Sequence, residues 1–211
     1  MKISILCSDV KHPVNDHLNK WIARNDVHEV SLMRSRDQLA PGDLLFLISC
    51  SEIINVDVRD KFKKVLVIHA SDLPKGRGWS PHVWQILEGN DSIYLTLLEA
   101  EDKVDSGKIW EKIVIAVSRD ALCSEINERI FEAECLLMDF AVEHFNSVKP
   151  KQQDMSLSPS YYSKRTPSDS ELDPKKSIAD QFDLIRVCDP DRFPAYFQLR
   201  GSEYKIRLER K

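Results

Sequence analysis

Pro41-Gly42-Asp43-Leu44-Leu45-Phe46-Leu47-Ile48 decides the class of fold. A turn leads straight into an unbroken apolar run, too continuous for a strand with one face in water. Such a run fits a central strand of a parallel sheet covered on both faces. Val65-Leu66-Val67-Ile68 repeats that character, and residues 2–7 form a short apolar run of the same kind. Residues 12–24 place Val14, Leu18, Trp21 and Ile22 at spacings of three and four, on one helical face. A second apolar run spans Val27 to Met33, and Ile113-Val114-Ile115-Ala116-Val117 reads as a later strand. A long amphipathic helix follows from about Ala121 to His144, striped by Ile126, Ile130, Ala133, Leu137, Phe140 and Ala141. Apolar strands alternating with helical stretches predict an α/β fold. The expected architecture is a Rossmann-like, mostly parallel sheet flanked by helices, with right-handed crossovers.

Composition changes sharply at residue 148. Residues 148–177 are rich in Ser, Pro, Lys and Asp and nearly free of large aliphatics, which predicts a mobile, solvated linker between a core at 1–147 and an extension at 178–211. In the extension a helical pattern runs through Ile178, Phe182 and Ile185, and two alternating runs around Gly201-Ser202 predict a β-hairpin.

The 211 residues are 42% hydrophobic and 30% charged, which is ordinary for a globular chain and argues against disorder or a fibrous repeat. Thirty Lys and Arg against thirty-four Asp and Glu give a net charge of -4, the wrong sign for affinity built on neutralising phosphates. No apolar run is long enough to span a bilayer, and the apolar start is too short for a secretory signal. Cys7, Cys50, Cys123, Cys135 and Cys188 are scattered and never form a C-x-x-C pair. They signal neither a disulfide framework nor a zinc site, so a cytoplasmic protein with free thiols and no metal is expected.

Chemistry concentrates in two places. His69-Ala-Ser-Asp-Leu-Pro-Lys-Gly-Arg-Gly-Trp-Ser-Pro81 leaves the carboxyl end of an apolar strand, where open parallel sheets bind ligands. It joins an imidazole suited to proton transfer near neutral pH with two glycines, Gly76 and Gly78, and a fixed cation, Arg77. Asp105, beside the sharp Ser106-Gly107 turn, lies thirty-six residues after His69, across one predicted helix and strand. A carboxylate that met His69 at one sheet edge would orient the ring and stabilise its protonated form. No phosphate loop, no G-x-G-x-x-G after the first strand, no H-E-x-x-H and no G-x-S-x-G is present, which points away from NAD or FAD.

The run from His69 to Pro81 resembles the H-P-S-L-L-P-x-x-R-G-x-x-P segment of the folate-dependent formyltransferases, the family that includes methionyl-tRNA formyltransferase. Trp84-Gln-Ile-Leu-Glu-Gly89 is similar to the helix that follows it there, and Thr96-Leu-Leu-Glu-Ala leading to Asp105-Ser106-Gly107 resembles the family's T-x-x-x…D-x-G segment. Lys164-Arg-Thr-Pro-Ser-Asp with Asp173, and the tail Ile185-Arg-Val-Cys-Asp-Pro-Asp-Arg-Phe-Pro-Ala-Tyr-Phe, are similar to the end of sugar N-formyltransferases. The resemblance implies formyl transfer from N10-formyltetrahydrofolate to an amine. Its catalytic set is an Asn, a His two residues later and an Asp. His69 and Asp105 match the last two, but Val67 stands where the Asn is expected; either His69 and backbone N–H groups suffice, or another donor such as Ser71 substitutes, or activity is weak. By the same resemblance the folate lies near Ser49, Ile53, Ile54, Arg77 and Gly78. The acceptor expected is a nucleotide-linked amino sugar. The short remainder after the core and the negative charge disfavour transfer RNA, and a homodimer is an allowed assembly. An aminoacyl acceptor on a carrier or tRNA, and a catalytically reduced folate-binding protein, are the alternatives.

Overall fold

The computed structural model describes residues 1–211. The chain runs β1 (Lys2–Leu6), α1 (Val14–Arg24), β2 (Glu29–Met33), β3 (Gly42–Leu47), α2 (Val56–Arg59), β4 (Phe62–His69), β5 (Arg77–Gly78), α3 (Pro81–Leu87), β6 (Ser92–Glu99), β7 (Ile109–Ala116), α4 (Cys123–Glu143), β8 (Tyr161–Tyr162), α5 (Phe182–Val187), β9 (Ala195–Leu199) and β10 (Ser202–Ile206). The central sheet has the order β2-β1-β3-β4-β6-β7. β2, β1, β3 and β4 are parallel, while β6 and β7 are antiparallel to their neighbours. This is the mostly parallel α/β sheet that the sequence predicts.

The continuous apolar runs are explained by two buried faces. Strand side chains alternate, so Leu44, Phe46 and Leu66 pack on one side with Trp21 and Leu18 of α1 and Ile130, Leu137 and Met138 of α4. Leu45, Leu47 and Val65 face the other side, with Phe62 and Ile54. The Trp21 indole N–H donates to Asp139 Oδ1 at 2.7 Å and fixes α1 against α4. No helix is long and apolar enough to cross a membrane.

Residues 148–177 correct the sequence expectation of a free linker. Lys151 and Ile109 exchange two backbone hydrogen bonds of 2.8 Å. Gln153, Ser170 and Leu172 are buried, and β8 pairs in parallel with β5. The segment forms a strap across the β4–α3 loop. Polar composition misled because backbone groups and one carboxamide, rather than aliphatic side chains, make most of these contacts. In the extension, β9 and β10 form an antiparallel hairpin. Its turn is centred on Arg200-Gly201, one residue earlier than expected, with φ of 52° and 80°. Positive φ at both positions matches the twist of a tight hairpin. Buried Arg186 ties α5 to the core by donating to the carbonyls of Ser118 and Ala121.

Candidate active site

Alternation along β4 puts Val65, Val67 and His69 on the same face, with His69 at the strand's carboxyl end. His69 is buried, and its Nε2 lies 2.8 Å from the Gly76 carbonyl. A carbonyl only accepts, so Nε2 carries the hydrogen and Nδ1 holds the free lone pair of the neutral ring. Asp105 Oδ2 stands 3.6 Å from the same Nε2 and accepts the Gly78 N–H at 2.9 Å. The loop leaving β4 and the turn before β7 therefore converge on one imidazole nitrogen, as the spacing predicts.

The turn is tightly specified. Asp105 sits in the left-handed region at φ 54°, which Asp tolerates better than most residues. A Cβ on Gly107 would lie 1.8 Å from the Glu99 carbonyl oxygen, so only glycine lets the turn close there. At Gly78, with φ 99°, a Cβ would approach the Tyr162 carbonyl oxygen to 2.5 Å.

The strap completes the surroundings. Gly76 N–H donates to Ser160 Oγ at 2.8 Å, Arg77 N–H to the Ser160 carbonyl at 2.9 Å, and Trp79 N–H to the Tyr162 carbonyl at 3.2 Å. Gln153 donates to the carbonyls of Asp105 and Gly107 and accepts from Arg77. Neither Gln153 nor Ser160 was legible in the sequence. Each sits in a run of polar residues with nothing to mark it out.

The other expected site residues scatter. Ser71 is buried with its Oγ unpartnered, while its carbonyl accepts Thr96 Oγ1 at 2.7 Å. Ser49 is exposed just beyond the carboxyl end of β3, at φ 46°. Ile53 and Ile54 do not form one apolar wall: Ile53 is 80% exposed, whereas Ile54 packs in the core. Arg77 is 5% exposed, donating to Gln153 and Tyr161, so it does not present a free cation to a ligand. Gly78 spends its N–H on Asp105. Val67 is half-buried against the second core cluster and offers no donor.

An aromatic group borders this region. Trp84 and Tyr162 stack with centroids 6.1 Å apart, and Lys164 Nζ lies 4.6 Å over the Trp79 ring. Trp79 is 44% and Tyr161 56% exposed. Burial, then the hydrogen bond to Glu88, pushes the Tyr162 hydroxyl up to about 12. Burial, reinforced by the charges of His12, His69 and Arg165, pulls His82 down to about 4, so it is neutral at pH 7. No group of three or more His, Cys, Asp or Glu side chains is placed to hold a metal ion.

Comparison with known proteins identifies the family. The formyl transferase N-terminal model, described as "Formyl transferase", matches residues 6–142, and the chain belongs to that family. It is 25% identical over 175 residues to methionyl-tRNA formyltransferase of Protochlamydia amoebophila, covering 80% of this chain and 54% of that protein. The chain thus spans about half the length of that curated relative. Among solved structures, methionyl-tRNA formyltransferase from Clostridium thermocellum superimposes with a TM-score of 0.81 at 19% identity, over 98% of this chain and 97% of that one. HypX from Aquifex aeolicus in complex with tetrahydrofolic acid gives 0.77 at 22%, over 96% of this chain and 36% of the other. A sugar N-formyltransferase from Shewanella gives 0.73 at 17%, over 100% of this chain and 98% of that one. At these identities the structural matches speak to the fold.

Proposed function

We propose that this chain transfers a formyl group from N10-formyltetrahydrofolate to the primary amine of a nucleotide-linked amino sugar. The observation that carries the reading is the meeting of His69 Nε2 and Asp105 Oδ2 at 3.6 Å beneath the loop at the end of β4, in a chain of the formyl transferase family. The neutral amine attacks the formyl carbon and the carbonyl oxygen gains charge. Protonated His69 stabilises that oxyanion, and Asp105 stabilises the imidazolium. The adduct's ammonium proton passes to the Asp105 carboxylate, from which the departing N10 is reprotonated as its bond to the formyl carbon breaks. Because Val67 offers no hydrogen bond, the oxyanion's donors are His69 with backbone N–H groups, or Ser71, whose Oγ is buried without a partner.

A tetrahydrofolate-bound structural neighbour supports the formyl donor. A sugar N-formyltransferase neighbour supports the acceptor class, as does the exposed aromatic surface of Trp79 and Tyr161, with Lys164 over the Trp79 ring. Methionyl-tRNA is the second reading, favoured by the two methionyl-tRNA formyltransferase matches. Isothermal titration with N5-formyltetrahydrofolate, followed by formyl-transfer assays with nucleotide-linked amino sugars and with methionyl-tRNA, tests both. Folate binding with turnover on one amino sugar supports the proposal. Turnover on methionyl-tRNA alone replaces the acceptor, and no folate binding by folded protein removes the transferase reading.

A further inference from the structure

We infer that Gln153 is a positioning residue for Asp105, held in place by the buried cation Arg77. The inference rests on the formyl-transfer reading for its catalytic consequence, but its geometry stands independently. Arg77 is 5% exposed and no carboxylate lies within ion-pair distance of it. Its guanidinium donates instead to Gln153 Oε1 at 2.6 Å and Tyr161 Oη at 3.2 Å. A guanidinium stays charged when buried and only donates, so it dictates that the Gln153 oxygen faces it. The other end of the carboxamide gives the same orientation. Gln153 Nε2 lies 2.9 Å from the Asp105 carbonyl and 3.0 Å from the Gly107 carbonyl, and both groups only accept. One side chain thus uses both amide hydrogens to grip the two ends of the left-handed Asp105 turn.

These contacts close a ring. Arg77 fixes Gln153, which fixes the Asp105 backbone. The Asp105 carboxylate takes the N–H of Gly78, the residue after Arg77. The Gly76 carbonyl that meets His69 lies one residue before Arg77, and its N–H is held by Ser160 on the same strap. Both partners of the 3.6 Å His69–Asp105 approach are therefore set by residues of the strap. A catalytic pair is only as well placed as the side chains that support it.

Two substitutions separate this role from simple charge compensation. Gln153→Glu gives Arg77 a carboxylate but sets acceptors against two carbonyls. Gln153→Ala removes the grip altogether. The readouts on the full chain are thermal midpoint, binding of N5-formyltetrahydrofolate, exchange of the Gly78 amide by NMR, and kcat and KM with whichever acceptor the formyl-transfer assays find to be turned over. In Gln153→Glu the Gly78 amide is expected to exchange at least about tenfold faster while amides of β1 and β3 are unchanged. The expected kcat falls by about 10- to 100-fold, with folate binding and acceptor KM within about threefold. Unchanged Gly78 exchange and kcat in Gln153→Glu overturn the inference, as does exchange accelerated equally throughout the sheet. If Gln153→Glu does not fold, the same measurements on Gln153→Ala decide the matter, with the same outcomes supporting or overturning the inference. If the wild type transfers no formyl group, the catalytic reading falls and Gly78 exchange alone decides the positioning claim.

Discussion

At the scale of single residues, one nitrogen of His69 faces two acceptors, the Gly76 carbonyl at 2.8 Å and the Asp105 carboxylate at 3.6 Å. Two acceptors around one N–H stabilise positive charge on the ring, which is what a developing oxyanion needs beside it. His69→Ala and Asp105→Asn are each expected to lower turnover by about 10²–10³ with N5-formyltetrahydrofolate affinity within a few-fold. Wild-type turnover in either variant would remove the assignment. Away from the site, Glu134 on α4 is buried with Oε2 unpartnered, and desolvation raises its carboxyl to about 8. Its folded value exceeds its unfolded one, so the folded state is favoured below about 4.5 and progressively loses that advantage as pH rises through about 8. Glu134→Gln is expected to raise the thermal midpoint at pH 8.5 and leave it nearly unchanged at pH 4.5, as parallel melting curves would show. Equal shifts at both pH values would mean that the carboxyl is not buried in this way.

Among the elements, the strap differs most between sequence and structure. β1, α1, β3, β4 and α4 were legible because aliphatic periodicity reports burial directly. His69 and Asp105 were legible because a histidine at a strand end and an aspartate beside Ser-Gly are unusual in themselves. The strap carries neither signal: its anchors are the backbones of Lys151, Ser160 and Tyr162 and the carboxamide of Gln153, none of which patterning distinguishes from solvated loop. Arg77 misled for a related reason, since a cation beside two glycines looks ligand-facing until the strap covers it. The β5–β8 pairing also depends on a glycine, because a Cβ at Gly78 would come within 2.5 Å of the Tyr162 carbonyl. Gly78→Ala is expected to destabilise by about 1–3 kcal/mol, combining an unfavourable φ with that collision. Lys151 and Lys164 are already exposed, so the loosened strap should be cut faster by trypsin after these residues while the sheet stays folded. A protease pattern identical to wild type would show that the strap does not depend on this contact.

For the whole molecule, the acceptor question becomes one of charge. Methionyl-tRNA and a nucleotide-linked sugar both present a primary amine, but they differ in how many phosphates a protein must neutralise. The chain carries four more acidic than basic residues, and many of its cations are already paired internally. Lys64 binds Glu99, Lys112 binds Asp72, Arg192 binds Asp9, Arg207 binds Asp191 and Arg210 binds Glu125. Beside the aromatic group stand Lys164, over the Trp79 ring, and Arg165, near the Trp84 ring, and the proposed sugar nucleotide asks for one or two phosphates to be neutralised there. Neutralising six to ten phosphates of a nucleic acid costs roughly 10³–10⁵ in affinity between 50 and 200 mM salt, whereas a diphosphate contact changes far less. With the acceptor at subsaturating concentration, kcat/KM is therefore expected to fall by less than about tenfold over that range. A fall of several orders of magnitude would instead assign the surface to tRNA.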